Sequence, residues 1–197
     1  MMNGKRRLIA ITGGIGSGKS VVSRLLRLMG YGVFDCDSEA KRLMNSDRAM
    51  QDRLRREFGD DIFTAAGLID RPVLAQRVFA DSDALQRLNA IVHPAVTNAL
   101  RQWRESQERP LCFVETAILT ESGLDAVVDG AWHVTAPEAV RVGRAVDRGG
   151  LTAEQALARV RSQRDNPADY RCPHRDIDNS GSIALIPQVE RLLTTND

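Results

Sequence analysis

Leu8-Ile-Ala-Ile-Thr12 is a short apolar run that stops at two glycines. A run of that kind predicts a strand buried on both faces, as in a parallel sheet. Beyond Lys19, apolar residues recur at Val21, Val22, Leu25, Leu26 and Met29, with Arg24 and Arg27 between them. That spacing is near the 3.6 of an amphipathic helix. Gly30 stands where a helix C-cap belongs, and Gly32-Val-Phe-Asp35 reads as a second strand ending in carboxylates. Strand, glycine run, helix and strand together make a βαβ unit.

From Ser38 to about Gln107 the pattern is helical almost throughout, interrupted by Gly59 and Gly67. Asp70 with Pro72 predicts one helix start and Pro94 another. With no strong strand signal there, the stretch reads as an inserted helical lobe. Strand patterns return at Leu111-Cys-Phe-Val-Glu115 and Ala131-Trp-His-Val-Thr135. Pro137-Glu138 opens a helix that stops at Gly149-Gly150, and Thr152-Ala-Glu-Gln155 is a capping box for the next. Asn166 to Pro173 reads as loop, Asp176 to Gly181 as a short strand and turn, and residues 184–193 as a last helix. The alternation predicts an α/β domain of three layers, α/β/α, on a central parallel sheet.

Composition narrows the partners. The chain has 197 residues, 27 basic against 26 acidic, and a net charge of +1. It therefore carries no overall field that would call for nucleic acid or an anionic membrane. Cys36, Cys112 and Cys172 are odd in number and lack a CxxC pair, which points to a reducing cytoplasm without a disulfide framework. Met1 to Arg7 is polar and basic, and the apolar run that follows, Leu8-Ile-Ala-Ile11, is expected to be too short for a signal-peptide core or a membrane span. A monomer or a small homo-oligomer is expected. Only Lys5, Lys19 and Lys41 are lysines, so a lysine inside the glycine run suggests a specific requirement there.

That run, Gly13-Gly14-Ile15-Gly16-Ser17-Gly18-Lys19-Ser20, matches G-x-x-x-x-G-K-[ST] completely, with a strand before it and a helix after. Glycines let the backbone turn its N–H groups inward as an anion nest, and the helix N-terminus adds partial positive charge. Lys19 is expected to bridge the β- and γ-phosphates of ATP, and the Ser20 hydroxyl to ligate Mg²⁺; Val21 completes the nucleotide-binding stretch. The chain is thus expected to be P-loop NTPase-type. No N-K-x-D element marks it as a GTPase, and the length suits a small kinase.

Asp35 and Asp37, on one side of a strand by alternation, are expected near the loop. One would accept a proton from an attacking hydroxyl and the other help hold Mg²⁺; Asp37 as a mere cap for the next helix is the alternative. Eight arginines lie between 141 and 175: Arg141, Arg144, Arg148, Arg159, Arg161, Arg164, Arg171 and Arg175. Arg144 and Arg148 are the two expected to reach the transferring phosphoryl group, on a lid; the rest read as solvated surface. His93-Pro94 at the end of the insert, Glu115 at a strand end and Glu121 in the following loop are further candidates.

Taken in order, Thr12 to Ser20, Val33-Phe-Asp-Cys-Asp37, Leu88-Asn-Ala-Ile-Val-His-Pro94, Ile118-Leu-Thr-Glu-Ser-Gly-Leu124, Arg144 with Arg148, Ala158-Arg-Val-Arg-Ser-Gln163 and Ile177-Asp-Asn-Ser-Gly181 resemble the dephospho-coenzyme A kinase family over nearly the whole chain. The resemblance implies ATP-dependent phosphorylation of the ribose 3′-hydroxyl of dephospho-CoA, with Asp35 as general base and Asp37, His93 and Glu121 as acceptor contacts. It also implies one domain: a core at 5–37, 108–136 and 174–197, an acceptor-binding insert at about 38–107 and a lid at about 137–165. Val21 stands where the family usually has threonine, Glu115-Thr-Ala-Ile118 replaces a more apolar strand end, and Arg141 replaces a common glutamine. Two rival readings remain at this point: another small P-loop kinase using Arg71, Arg77 and Arg87 on a nucleoside monophosphate, and a nucleotide-binding regulator without turnover.

Overall fold

The computed structural model describes residues 6–79, 81–163 and 166–195. Its strands are β1 (Arg7–Thr12), β2 (Val33–Asp35), β3 (Leu111–Glu115), β4 (Gly130–Thr135) and β5 (His174–Asp178). Its helices are α1 (Lys19–Leu28), α2 (Cys36–Ser46), α3 (Arg48–Phe58), α4 (Arg71–Phe79), α5 (Ser82–Ser106), α6 (Glu138–Asp147), α7 (Ala153–Ser162) and α8 (Leu185–Thr194). The strands form one sheet in the order β2-β3-β1-β4-β5, and β1 pairs in parallel with both β3 and β4, as β4 does with β5. The chain divides into two compact units, one of residues 1–34 with 106–197 and one of residues 35–105.

In the first unit, alternation along β1 sends Ile9 and Ile11 into a cluster with Val22 and Leu26 of α1 and Val189 and Leu192 of α8. Phe113 and Trp132 join it with ring centroids 5.0 Å apart, and Tyr31 meets Phe113 edge-on. Leu8 and Ala10, on the other face, are just as buried. A strand covered on both faces needs apolar residues at every position, which is why these strands read as unbroken runs. Lower in the unit, the carboxylate of Asp125 is buried, and both of its oxygens accept from the Arg171 side chain, at 2.6 and 2.8 Å. Arg171 is therefore a partner of a buried acid, not simple solvated surface. The guanidinium holds the Asp125 carboxyl below the usual carboxylate range.

The second unit is built from α2 to α5 around Met50, Leu54, Phe58, Ile62, Ile69 and Leu74. Two expectations change here. β2 ends at Asp35, and Asp37 falls in the first turn of α2, so strand alternation does not govern the two carboxylates. The cap of α2 is Asp35 itself: its Oδ1 accepts from the Ser38 N–H at 3.1 Å and its Oδ2 from the Ser38 hydroxyl at 2.9 Å. Asp37 is not the cap.

Pro94, read above as a helix start, lies inside the 25-residue α5, and His93 with it, well before the end of the insert. A proline there leaves the carbonyl four residues back without its helical donor. Arg53 supplies one: its Nη2 donates to the Ala90 carbonyl at 3.4 Å. A long-range side chain has thus replaced the missing backbone bond, and the helix runs through.

The capping box at Thr152 and Gln155 forms as the sequence indicates. Arg161 of α7 holds Glu138 of α6 by two hydrogen bonds of 2.9 and 3.1 Å. Among the described residues, no helix is long and apolar enough to cross a membrane.

Candidate active site

The phosphate loop leaves the carboxyl end of β1 and enters α1 through Gly18, the helix N-cap, whose φ of 97° lies in the left-handed region. Gly16 is left-handed as well, with φ 76°, and a Cβ there would run into the Arg141 backbone. A Cβ on Gly18 would run into the side-chain nitrogen of Asn179. Both glycines are needed for backbone angle and for closeness of approach at once. The Lys19 ammonium donates to the Gly13 carbonyl at 2.6 Å and to that of Gly14 at 3.3 Å, at the rim of its own loop. Ser20 and Val21 are exposed in the first turn of α1, a hard oxygen donor beside an apolar side chain.

Three elements from far along the chain grip this loop. From α6, the Arg141 Nε donates to the Ile15 carbonyl at 2.9 Å. The Arg144 Nη1 reaches the carbonyls of Gly16 and Ser17 at 3.3 and 3.4 Å, and its Nη2 donates to the Asn179 carbonyl at 2.8 Å. At the C-cap of α7, the Gln163 side chain accepts from the Ile15 N–H. In the turn between β5 and α8, the Asn179 Nδ2 donates to the Ser17 carbonyl at 2.7 Å.

Of the arginines expected at the phosphates, Arg144 touches the loop, while Arg148 is the exposed C-cap of α6. Arg164 and Asp165, at the end of the expected lid, lie outside the described residues, as do Lys5, Asn196 and Asp197 of the expected core. The sequence reading passed over Arg141, Gln163 and Asn179 as contacts. Arg141 offered a faint signal, its position one turn before Arg144 on the same face. Gln163 and Asn179 stood only inside segments that resemble the family, with no local spacing that tied either to the loop.

Glu115 ends β3 in register with Ile11 of β1, and the Thr116 N–H donates to the Ile11 carbonyl at 3.1 Å, so a carboxylate stands beside the strand that feeds the loop. Glu121 is exposed in the turn closed by the Ser122 N–H on the Ile118 carbonyl at 2.9 Å. Asp35, Asp37 and His93 belong to the second unit: Asp35 half-buried, Asp37 exposed, and His93 half-buried in α5. Burial pulls the His93 imidazole below its usual pKa, so it is neutral at pH 7.

Two of the arginines of the rival reading are occupied in bracing that unit. Arg77 pairs with Asp61 and donates to the Phe58 carbonyl, and Arg87 pairs with Glu57 at 2.6 Å. A cavity of about 220 Å³ opens at the amino ends of β1, β4 and β5, between Arg7, Asp129, Trp132, Pro173 and Arg175. It lies at the wrong end of the sheet for the loop's chemistry, because ligands of open parallel sheets sit at the carboxyl ends of the strands.

A five-stranded parallel-type sheet with a G-x-x-x-x-G-K-S loop between its central strand and a helix defines a P-loop kinase-type α/β protein. The Dephospho-CoA kinase family model matches residues 7–184, and the chain belongs to that family. A dephospho-CoA kinase of Porphyromonas gingivalis is 39% identical over 188 residues, covering 95% of this chain and 93% of the relative. The crystal structure of a Thermus thermophilus protein superposes with a TM-score of 0.77 at 37% identity, covering 96% of this chain and 95% of that one. A dephospho-CoA kinase from Campylobacter jejuni shares the fold with a TM-score of 0.68 at 22% identity, covering 96% and 98%.

Proposed function

We propose that the chain transfers the γ-phosphoryl group of ATP to the ribose 3′-hydroxyl of dephospho-CoA, giving coenzyme A and ADP. The observation that carries this reading is the complete phosphate loop, gripped by Arg141, Arg144, Gln163 and Asn179, in a chain matched by the family over residues 7–184.

In this reading the loop amides from Gly13 to Ser20, with Val21, and the Lys19 ammonium hold the triphosphate. Arg144 and Arg148 neutralise charge that spreads over the equatorial oxygens in the transition state. Asp35 takes the proton from the 3′-hydroxyl as that oxygen bonds to the γ-phosphorus and the bond to the β–γ bridging oxygen breaks. The two hydrogen bonds from Ser38 fix the plane of the Asp35 carboxylate, and each oxygen keeps a lone pair to accept with. Asp37, His93 and Glu121 contact the acceptor. A neutral imidazole, as burial makes His93, can donate one hydrogen bond and accept another.

The chain's donors suit Mg²⁺, which takes hard oxygen ligands and seldom needs a full protein cage. Ser20 and Asp37, a hydroxyl and a carboxylate, would hold it. The ion would neutralise phosphate charge.

Residues about 38–107 serve as the acceptor-binding insert and residues about 137–165 as the lid that excludes water, in one domain. A cytoplasmic location and a monomer or small homo-oligomer complete the proposal.

ADP release measured with dephospho-CoA beside a panel of nucleoside monophosphates, with and without excess EDTA, tests it. Turnover is expected with dephospho-CoA and to vanish on chelation. Turnover with a monophosphate alone would sink the acceptor, and turnover in EDTA would sink the metal.

A further inference from the structure

Three peptides of the phosphate loop are held by their carbonyls from outside the loop; Arg144 reaches that of Gly16 at 3.3 Å, and Arg141 and Asn179 hold the other two. The Ile15 carbonyl accepts from Arg141 Nε at 2.9 Å, and the Ser17 carbonyl accepts from Asn179 Nδ2 at 2.7 Å and from Arg144 Nη1 at 3.4 Å. In a planar trans peptide the carbonyl and the following N–H point in opposite directions. Fixing the Ile15 and Ser17 carbonyls toward these donors therefore fixes the N–H groups of Gly16 and Gly18 toward the opposite side of the loop. Those two N–H groups belong to the glycines whose backbones are freest to turn over.

We propose that Asn179, together with Arg141, is a positioning residue that sets the peptide planes of the phosphate loop and so preorganises its N–H groups for the triphosphate. The proposal rests on the reading of this loop as the ATP site.

Asn179 is built for the task. Its N–H donates to the Thr135 carbonyl at the end of β4 at 2.8 Å, and its carbonyl accepts from Arg144 Nη2 at 2.8 Å. With the backbone held at both groups, the side-chain amide meets the loop as a fixed donor. The packing is so close that a Cβ on Gly18 would overlap the Asn179 side-chain nitrogen. Arg141 acts the same way one peptide pair earlier, and its guanidinium lies so close over Gly14 that a Cβ there would overlap it.

Without the donor, the Ser17–Gly18 peptide is free to present its carbonyl, not its N–H, to an anion. Apparent affinity falls by the fraction of loop left competent, so a drop to about one tenth weakens ATP binding about tenfold. None of the residues proposed for the acceptor, Asp35, Asp37, His93 and Glu121, is among the groups that hold these peptides, which makes the effect selective.

The test is Asn179→Leu, close in size and uncharged, in the full chain. The dissociation constant of ATP is measured directly without acceptor, and KM for ATP and for dephospho-CoA by ADP release. Expected are a rise of about tenfold in both ATP constants, KM for dephospho-CoA within twofold, and an unchanged far-ultraviolet circular dichroism spectrum. Should that variant not fold, Arg141→Leu reads the held Ile15 peptide with the same selective loss, and Arg141→Gln, which keeps an amide donor, restores most of it. ATP affinity unchanged in a folded Asn179→Leu, or in Arg141→Leu, overturns the proposal, as does an equal rise in KM for both substrates. If the parent binds ATP but releases no ADP with dephospho-CoA, the assignment of the acceptor fails, while the direct ATP measurement still decides the role of Asn179.

Discussion

Asp35 caps α2 and is the proposed base, and one pair of substitutions separates the two roles. As the N-cap of α2, it accepts from the Ser38 N–H at 3.1 Å and from the Ser38 hydroxyl at 2.9 Å. As the proposed base, it needs a carboxylate. Asparagine keeps the cap, because its amide oxygen accepts from the same N–H and the two residues rank alike as N-caps. It cannot take a proton at neutral pH.

Asp35→Asn is therefore expected to lower kcat by about 10²–10⁴, the usual contribution of a general base, with KM for ATP within twofold. Its Tm should stay within about 2 °C of the parent, the difference being the carboxylate's small interaction with the helix N-terminus. Asp35→Ala should lose as much kcat and the cap besides. A lost cap costs about 1 kcal/mol, or about 2–4 °C in a chain of this size. The assays are coupled ADP release and a thermal melt on the same samples. If Asp35→Asn turns over within tenfold of the parent, the carboxylate is only a cap and the mechanism needs another base. If Asp35→Ala melts with the parent, the cap is not what its geometry indicates.

Other predictions follow from the geometry. Asp125→Asn, which keeps the size of the buried acid but weakens its bonds to Arg171, should lower Tm by about 3–6 °C at pH 7, on the order of 1.5 kcal/mol for a charge-assisted bond. Because the folded pKa of Asp125 lies below the unfolded value of about 3.9, that gap should be full above about pH 5 and close as the pH falls below 4. A gap as wide at pH 3 as at pH 7 would refute the charge argument. Gly16→Ala should abolish ATP binding in a titration, since its Cβ would meet the Arg141 backbone. Gly67→Ala has a similar φ of 74° but nothing within 4 Å of the added carbon, so it should cost only about 1–2 kcal/mol of backbone strain and leave turnover intact. Equal effects of the two would mean that close approach is not what the loop requires.

Hydrophobic period and turn chemistry carried the reading a long way. The unbroken apolar runs at Leu8 and Leu111 are strands because helices and neighbouring segments cover both faces, and a strand so covered leaves no polar position. The 3.6 period after Lys19 and the capping box at Thr152 are local signals, and they formed where the sequence put them, while Gly30, with φ 82°, falls one residue beyond the C-cap, Met29. Pro94 misled because the rule that proline starts a helix is local, whereas the donor that lets α5 continue through it, Arg53, is 37 residues away from the carbonyl it serves. Asp37 misled for a related reason: alternation holds only while a strand lasts, and β2 stops at Asp35.

What the sequence determined by itself is the set of groups whose function depends on their own neighbours in the chain. The phosphate loop is one, because its glycines, lysine and serine act at fixed spacing across a strand, a turn and a helix start. What only the tertiary structure decided is which distant residues complete that loop. Arg141, Gln163 and Asn179 reach it across separations of 126, 148 and 162 residues. No spacing rule spans such distances; the sheet order β3-β1-β4-β5 brings them together. Among eight arginines of like composition, it is this packing that separates Arg144 at the loop from Arg148 in solvent and Arg171 on a buried acid.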